Sequence, residues 1–290
     1  MKTETALITG AASGIGLSLA REFAKHGHNL VLTSRVRSEL RDVAGELTSK
    51  YNIEVGTIAA DLEDPNGPEL LFDAIRREAV LVDILVNNAG IGFRGRFWEI
   101  PLENQMNIVR VNIEAVLRMT HLFLPQMIRR NQGRIMNTAS IAGFEPGPLL
   151  AVYHASKAFV LSFSEALATE LEYTKLTVTA LCPGPTDTDF FPKAGLTDTK
   201  AFQKAHVMAP QEVAELAYKG LMRGDRTVVA GGANKAMVFA RRFMTEGAQA
   251  KMNQKIYERA KPTQQKRHRG DFERKAARKR AEKEEKELVE

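Results

Sequence analysis

Seven short runs rich in Val, Ile, Leu and Thr punctuate the chain, at residues 5–9, 29–33, 54–60, 83–87, 133–139, 176–182 and 226–230. Between them, apolar positions recur at helical spacing near 14–26, 37–50, 67–78, 102–130, 153–173 and 210–223. Strands that are apolar on both faces and separated by helices predict a parallel sheet covered on both sides. Right-handed crossovers then give a doubly wound α/β fold with a mostly parallel, seven-stranded sheet. Its ligand crevice lies at the carboxyl ends of the strands. No repeat and no Pro-, Gly- or Ser-rich linker interrupts this pattern. Residues 1–260 therefore read as one domain, with amphipathic helices over 232–260.

Composition adds limits. An apolar fraction of 44% and a charged fraction of 26% are ordinary for a globular protein. The chain has one cysteine, Cys182, so no intrachain disulfide framework is possible, and its apolar surroundings predict a buried, inert thiol. The beginning of the chain lacks the apolar segment of a signal peptide, and no run of apolar residues is long enough to span a bilayer, which predicts a cytoplasmic protein. The formal charge is +6. Residues 261–290 carry 11 Lys/Arg and 7 Asp/Glu, so 11 − 7 = +4 resides in the carboxyl end. The basic character is a tail property and a poor basis for a nucleic-acid partner.

Each chemically suggestive segment falls at the carboxyl end of a predicted strand. The first runs into Thr9-Gly10-Ala11-Ala12-Ser13-Gly14-Ile15-Gly16 and a helix. Gly10 suits a tight turn, while Gly14 and Gly16 allow a close approach to a pyrophosphate at the helix N-terminus, beside Ser13 and Ile15. The spacing is Gly-x-x-x-Gly-x-Gly, not the commoner Gly-x-Gly-x-x-Gly. The second strand ends in Ser34 and Arg35, a pair without the acidic group that binds an unphosphorylated ribose. Arg35 offers a guanidinium fork to a 2′-phosphate, which favours NADP(H) over NAD(H). Asp61 and Leu62 follow the third strand, where Asp61 either accepts from an adenine amino group or caps a turn. Asn88, Ala89 and Gly90 follow the fourth and suit a loop close to ribose or nicotinamide. Tyr153 and Lys157, four residues apart on a helix, share one face. The ammonium is expected to lower the phenol pKa and bring it into catalytic range.

Taken together and in this order, these segments resemble the short-chain dehydrogenase/reductase family over roughly residues 3–230. Thr9 through Gly16 is similar to its glycine element and residues 87–90 to its Asn-Asn-Ala-Gly. Asn112 matches its helix asparagine, Ser140 its serine, and Tyr153-His-Ala-Ser-Lys157 its Tyr-x-Ala-Ser-Lys. Pro183, Gly184, Thr186 and Thr188 resemble its nicotinamide loop. The resemblance implies Tyr153 as general acid/base, Lys157 on the phenol and the nicotinamide ribose, and Ser140 on the substrate oxygen. It implies that Asn112 fixes a water that replenishes the proton, that the 183–188 loop orients the carboxamide, and that the pro-S hydride is transferred. His154 stands at the family's variable position and is expected to point away. The remaining histidines show no metal-ligand spacing, and the chemistry needs no metal.

Substrate choice is expected from loops at 91–98, 141–150 and 189–208. Phe144, Leu149, Leu150, Phe190 and Phe191 would make an apolar wall for a lipophilic ketone, aldehyde or 3-oxoacyl-like carbonyl. The basic amphipathic stretch 234–260 is read as packing against the domain or a subunit, in preference to a membrane surface. Residues 261–290 are nearly free of apolar side chains and are expected to be disordered or partly helical. The resemblance implies a homodimer or homotetramer through 102–130 and 153–173. The opposed function is a non-catalytic dinucleotide-binding sensor or scaffold whose charged tail engages a partner. The intact Tyr153 argues against it.

Overall fold

In the computed structural model, which describes residues 3–278, seven strands form one sheet. They are β1 (Thr5–Thr9), β2 (Asn29–Ser34), β3 (Val55–Ala59), β4 (Ile84–Asn87), β5 (Gly133–Thr138), β6 (Leu176–Cys182) and β7 (Thr227–Val229). Their spatial order is β3-β2-β1-β4-β5-β6-β7, and every pairing is parallel. The chain runs outward from β1 to β3, then restarts at β4 on the other side. That reversal opens a crevice beyond the carboxyl ends of β1 and β4.

Alternation along β1 shows how the layers are held. Ala6 and Ile8 face one cluster, and Leu7 faces the other; all three are fully buried. The first cluster takes Leu19 and Phe23 from α1 (Gly14–Lys25), Leu40 from α2 (Arg37–Tyr51) and apolar residues of a late helix that returns beside α1. The second takes Leu71 and Ile75 from α3 (Gly67–Arg77) and residues of the helices that follow β4.

The long helix expected over 102–130 is built in three parts. α4 (Leu102–Val109) passes into one π-helical turn, Arg110–Glu114, and continues as α5 (Ala115–Arg130). The widened turn carries Asn112, and such insertions re-aim a side chain at modest cost. α5 stops at Asn131, which takes the left-handed conformation at φ 49°, as α2 does at Asn52 with φ 51°. α6 (Ala151–Glu170) then carries Tyr153 and Lys157 in its first two turns. Short helices α7 (Phe190–Lys193) and α8 (Lys200–Gln203) lie in the long connection after β6, followed by α9 (Pro210–Arg223), the helix that returns beside α1.

Beyond β7 come α10 (Gly232–Arg241) and α11 (Glu246–Tyr257). The next residues begin the segment expected to be disordered or partly helical. Residues 262–264 form a 3₁₀ turn and 271–278 are helical, and this stretch lies against the connection after β6. The contact is made by backbone amides, the Arg267 and Arg269 side chains and one aromatic ring, so it needs little apolar content. The remainder of the expected tail, with Glu282 to Glu287, lies outside the described residues.

Candidate active site

The glycine turn is forced by geometry. Gly10 and Gly14 have φ of +66° and +57°, a region that L side chains rarely adopt. A Cβ on Gly16 would stand 2.1 Å from the Gly10 carbonyl oxygen, so any larger residue would open the turn. Thr9 stitches this turn to the next loop. Its hydroxyl accepts from the amides of Asn88 (2.9 Å) and Ala89 (3.0 Å), and Asn88 Nδ2 donates to the Thr9 carbonyl at 2.9 Å. Ser13 occupies the N-cap of α1 with extended backbone but makes no side-chain cap bond. The first-turn amides at Gly14, Ile15 and Gly16 therefore face the crevice with the positive end of the helix behind them, the usual arrangement for an anion.

The neighbouring strand ends show which groups have local duties. Ser34 Oγ is buried without a hydrogen-bond partner among the described residues. Arg35 is well exposed, and its guanidinium donates to Glu63 at 2.9 Å. Nothing in the composition pointed to Glu63; it arrives through a turn in which the Asp61 carboxylate accepts from the Glu63 amide at 3.0 Å. The turn role of Asp61 is thus occupied. Leu62 packs into the second core cluster.

Ser140, Tyr153 and Lys157 come together at the carboxyl end of β5. Lys157 is buried and donates to the Thr138 carbonyl at 2.7 Å. Its Nζ would be 3.3 Å from a Cβ on Gly90, so the glycine brings the loop after β4 close to the amine. Ser140 accepts from the Ala142 amide at 3.1 Å and donates to the Pro183 carbonyl at 3.4 Å. Burial pushes the Tyr153 phenol up to about 12, and the neighbouring Ser140 hydroxyl works in the opposite direction. Burial pushes the Lys157 amine down to about 8. Lys157 Nζ stands 5.8 Å from the centroid of the Tyr153 ring, and removal from water is the larger influence on the phenol.

Asn112, turned inward by the π-helical segment, is fully buried. It brackets the Ile91 backbone, accepting from its amide and donating to its carbonyl, each at 3.0 Å. Asn112 Nδ2 also donates to Ser156 Oγ at 3.0 Å, and Ser156 donates to the Tyr153 carbonyl at 2.7 Å. The serine inside Tyr-His-Ala-Ser-Lys thus ties the asparagine to the tyrosine's own turn.

The loop after β6 closes the other side. A Cβ on Gly184 would collide with Asn234 at 2.3 Å. Thr186 donates to the Gly184 carbonyl at 2.9 Å, and Thr188 lies against Gly14. Of the expected apolar wall, Leu150, Phe190 and Phe191 cluster with Tyr153. Phe144 does not; it packs with Val116, Val160 and Cys182 under α6, where more apolar area is available. Leu149 is held at φ 70°, and its carbonyl accepts from the Gly95 amide at 2.9 Å. Cys182 is fully buried, and burial pushes its thiol up to about 12.

His154 is also buried. Its Nδ1 must donate to the Glu145 carbonyl (2.9 Å), so Nε2 accepts from the Tyr257 hydroxyl (3.0 Å). Burial pushes the imidazole down to about 4. The ring thus locks the 141–150 loop to α11, and Glu145 pairs there with Arg241 of α10.

A dinucleotide cofactor fits this arrangement, since Gly16 leaves no room for a Cβ in the turn and the buried Ser34 hydroxyl has no partner among the described residues. The family model for short chain dehydrogenases matches residues 4–199. The chain belongs to that family. It is 40% identical over 184 residues to a very-long-chain 3-oxoacyl-CoA reductase of Anas platyrhynchos, a match covering 61% of this chain and 58% of that protein. The chain thus spans little more than half the length of that curated relative. An uncharacterised oxidoreductase of Staphylococcus saprophyticus is 34% identical over 223 residues, covering 77% of this chain and 93% of that one. Among solved structures, a short-chain dehydrogenase from Sphingobium yanoikuyae in complex with NADPH superposes with a TM-score of 0.74 at 31% identity, over 82% of this chain and 94% of that one. One from Burkholderia phymatum in complex with NAD gives a TM-score of 0.74 at 26% identity, over 83% and 93%.

The His154 environment makes a stability prediction. The imidazole ionises near 6.5 when unfolded and near 4 when folded, so the unfolded chain takes up the proton first as pH falls. Stability should drop between those values by on the order of 3 kcal/mol and level off below them. Urea titrations across this range should show a shallower decline for His154→Gln; an equal decline would contradict the assignment.

Proposed function

We propose that the chain is an NADP(H)-preferring oxidoreductase that interconverts a lipophilic carbonyl and its secondary alcohol. The observation that carries this reading is the convergence of Ser140, Tyr153 and Lys157 at the end of β5, facing the glycine turn across the crevice. Thr9, Gly10, Ser13, Gly14, Ile15 and Gly16 would hold the pyrophosphate; Ser34 and Arg35 the 2′-phosphate; Asp61 and Leu62 the adenine edge. Asn88, Ala89, Gly90, Pro183, Gly184, Thr186 and Thr188 would frame the nicotinamide riboside. When bound, the cofactor supplies the hydride.

The protein's task is the proton. A phenol held well above neutral pH stays protonated, which suits donation to a carbonyl oxygen during reduction. Ser140 holds that oxygen beside the phenol, and Lys157, buried yet able to carry charge near neutrality, stabilises the phenolate left behind. Asn112, through Ser156 and Ile91, keeps the Tyr153 turn and the 88–91 loop in register while a proton returns from solvent. In oxidation the same groups act in reverse.

The Anas platyrhynchos relative acts, by its name, on very-long-chain 3-oxoacyl-CoA, which supports an acyl-type substrate against Leu150, Phe190 and Phe191. The NADPH-bound Sphingobium structure supports the cofactor, while the NAD-bound one shows that family membership alone does not select it. The preference rests on Ser34 and Arg35, with Glu63 yielding its ion pair to the phosphate. Leu117 and Phe159 present apolar surface on α5 and α6, which supports a homo-oligomer through those helices.

Tyr153→Phe should lower ketone reduction by about 10²–10⁴-fold while nicotinamide fluorescence still reports cofactor binding. Binding without turnover in both wild type and variant would favour a sensor. The double change Ser34→Asp, Arg35→Ala should shift the NADPH-to-NADH ratio of kcat/KM by more than about tenfold, the worth of a charge-assisted hydrogen bond. An unchanged ratio would refute the phosphate role of Arg35.

A further inference from the structure

The segment after α11 is attached to the domain at the nicotinamide loop. Asp187, between Thr186 and Thr188, is fully buried, yet its carboxylate makes its bonds to a segment more than eighty residues away. Oδ1 accepts from the Gly270 amide at 2.9 Å, and Oδ2 accepts from the amides of Phe272 (2.9 Å) and Glu273 (3.3 Å). These are the opening amides of the helical stretch 271–278, so Asp187 caps that helix from outside, where a negative charge is favoured. Arg269 adds a bond to Asp189 at 3.0 Å. Further along, Gln203 Oε1 accepts from the amides of Lys266 and Arg267, each at 2.9 Å, and Arg267 donates to the Phe202 carbonyl at 3.1 Å.

The result is a strap of residues 266–274 lying across α7 and α8. Its one aromatic side chain, Phe272, joins the cluster of Leu150, Phe191 and Phe202 that also receives Tyr153 and Phe190. The strap, the substrate loop and the proton-donating tyrosine share one apolar body. A loop this rich in short helices would otherwise be free to swing from the cleft.

We propose that this strap is part of the substrate site: latched on Asp187, it holds the 189–208 loop over Tyr153 and makes Phe272 and Asp187 positioning residues that select for long apolar chains. The proposal rests on the carbonyl-reductase reading above. By linkage, whatever the closed loop grips must in turn hold the strap down.

Two measurements on the full chain test it. The first compares NADPH-dependent reduction of 2-butanone and 2-dodecanone by wild type, Phe272→Ala and Asp187→Asn. Both variants should lose about tenfold or more in kcat/KM for 2-dodecanone relative to 2-butanone, mainly through KM, because a buried aromatic wall is lost or released. Equal losses on both ketones would show a merely structural role and overturn the proposal. The second follows trypsin cleavage at Lys266, Arg267 and Arg269. NADPH with 2-dodecanol should slow cleavage of the wild-type strap at least about fivefold, and Asp187→Asn should abolish much of that protection. Cofactor binding seen by fluorescence with unchanged cleavage would overturn the strap's role alone. Failure to bind NADPH would sink the oxidoreductase reading and the proposal with it.

Discussion

A lysine ammonium buried at the end of a sheet is the constraint on which the site depends. Taking Lys157 from water disfavours its charge, and among the described residues no carboxylate pairs with it; it is met by the Thr138 carbonyl at 2.7 Å. Such a bond requires that β5 end at that point and that α6 start with a fixed rotation. Gly90 brings the neighbouring loop close to the amine, where a Cβ would stand 3.3 Å from Nζ. The π-helical turn that places Asn112, the Ser156 bridge and the Thr9 bonds to the 88–89 amides all hold the surroundings of this one amine.

Tyr153 is held by the same network but responds differently. Burial keeps its proton on, while the adjoining amine sits close to the pH at which it can gain or lose one. The two environments push the pKa values apart, the phenol upward and the amine downward, which is how neighbouring groups are assigned different roles in moving a proton. The helical spacing of Tyr153 and Lys157 was visible in the sequence. The burial of the phenol was not, because it depends on how Phe190, Leu150 and their neighbours pack around it.

Most of the architecture was readable from periodicity. Every predicted strand exists; the edge strands β3 and β7 are one residue shorter at each end than expected, and the interior strands β4 and β5 are shorter at one end. The glycine turn and the Ser140, Tyr153 and Lys157 positions were legible because each demands a particular residue type. What escaped were pairings across long sequence distances: Arg35 with Glu63, His154 with Tyr257, and Asp187 with the amides of residues 270–273. None has a local signature. The carboxyl segment is a further case: this charged stretch docks through backbone amides and through the Arg267 and Arg269 side chains, contacts that composition does not report.

The claim that the buried Lys157 supports the proton transfer is tested by the pH dependence of kcat/KM for NADPH-linked ketone reduction. Lys157 acts in its protonated form and ionises near 8 in the folded protein, so activity should be full below that value and fall as pH rises through it. Lys157→Arg, whose side chain stays charged, should move the fall upward in whatever activity it retains. A wild-type profile that stays flat well beyond pH 8, or a fall at the same pH in both proteins, would contradict the account.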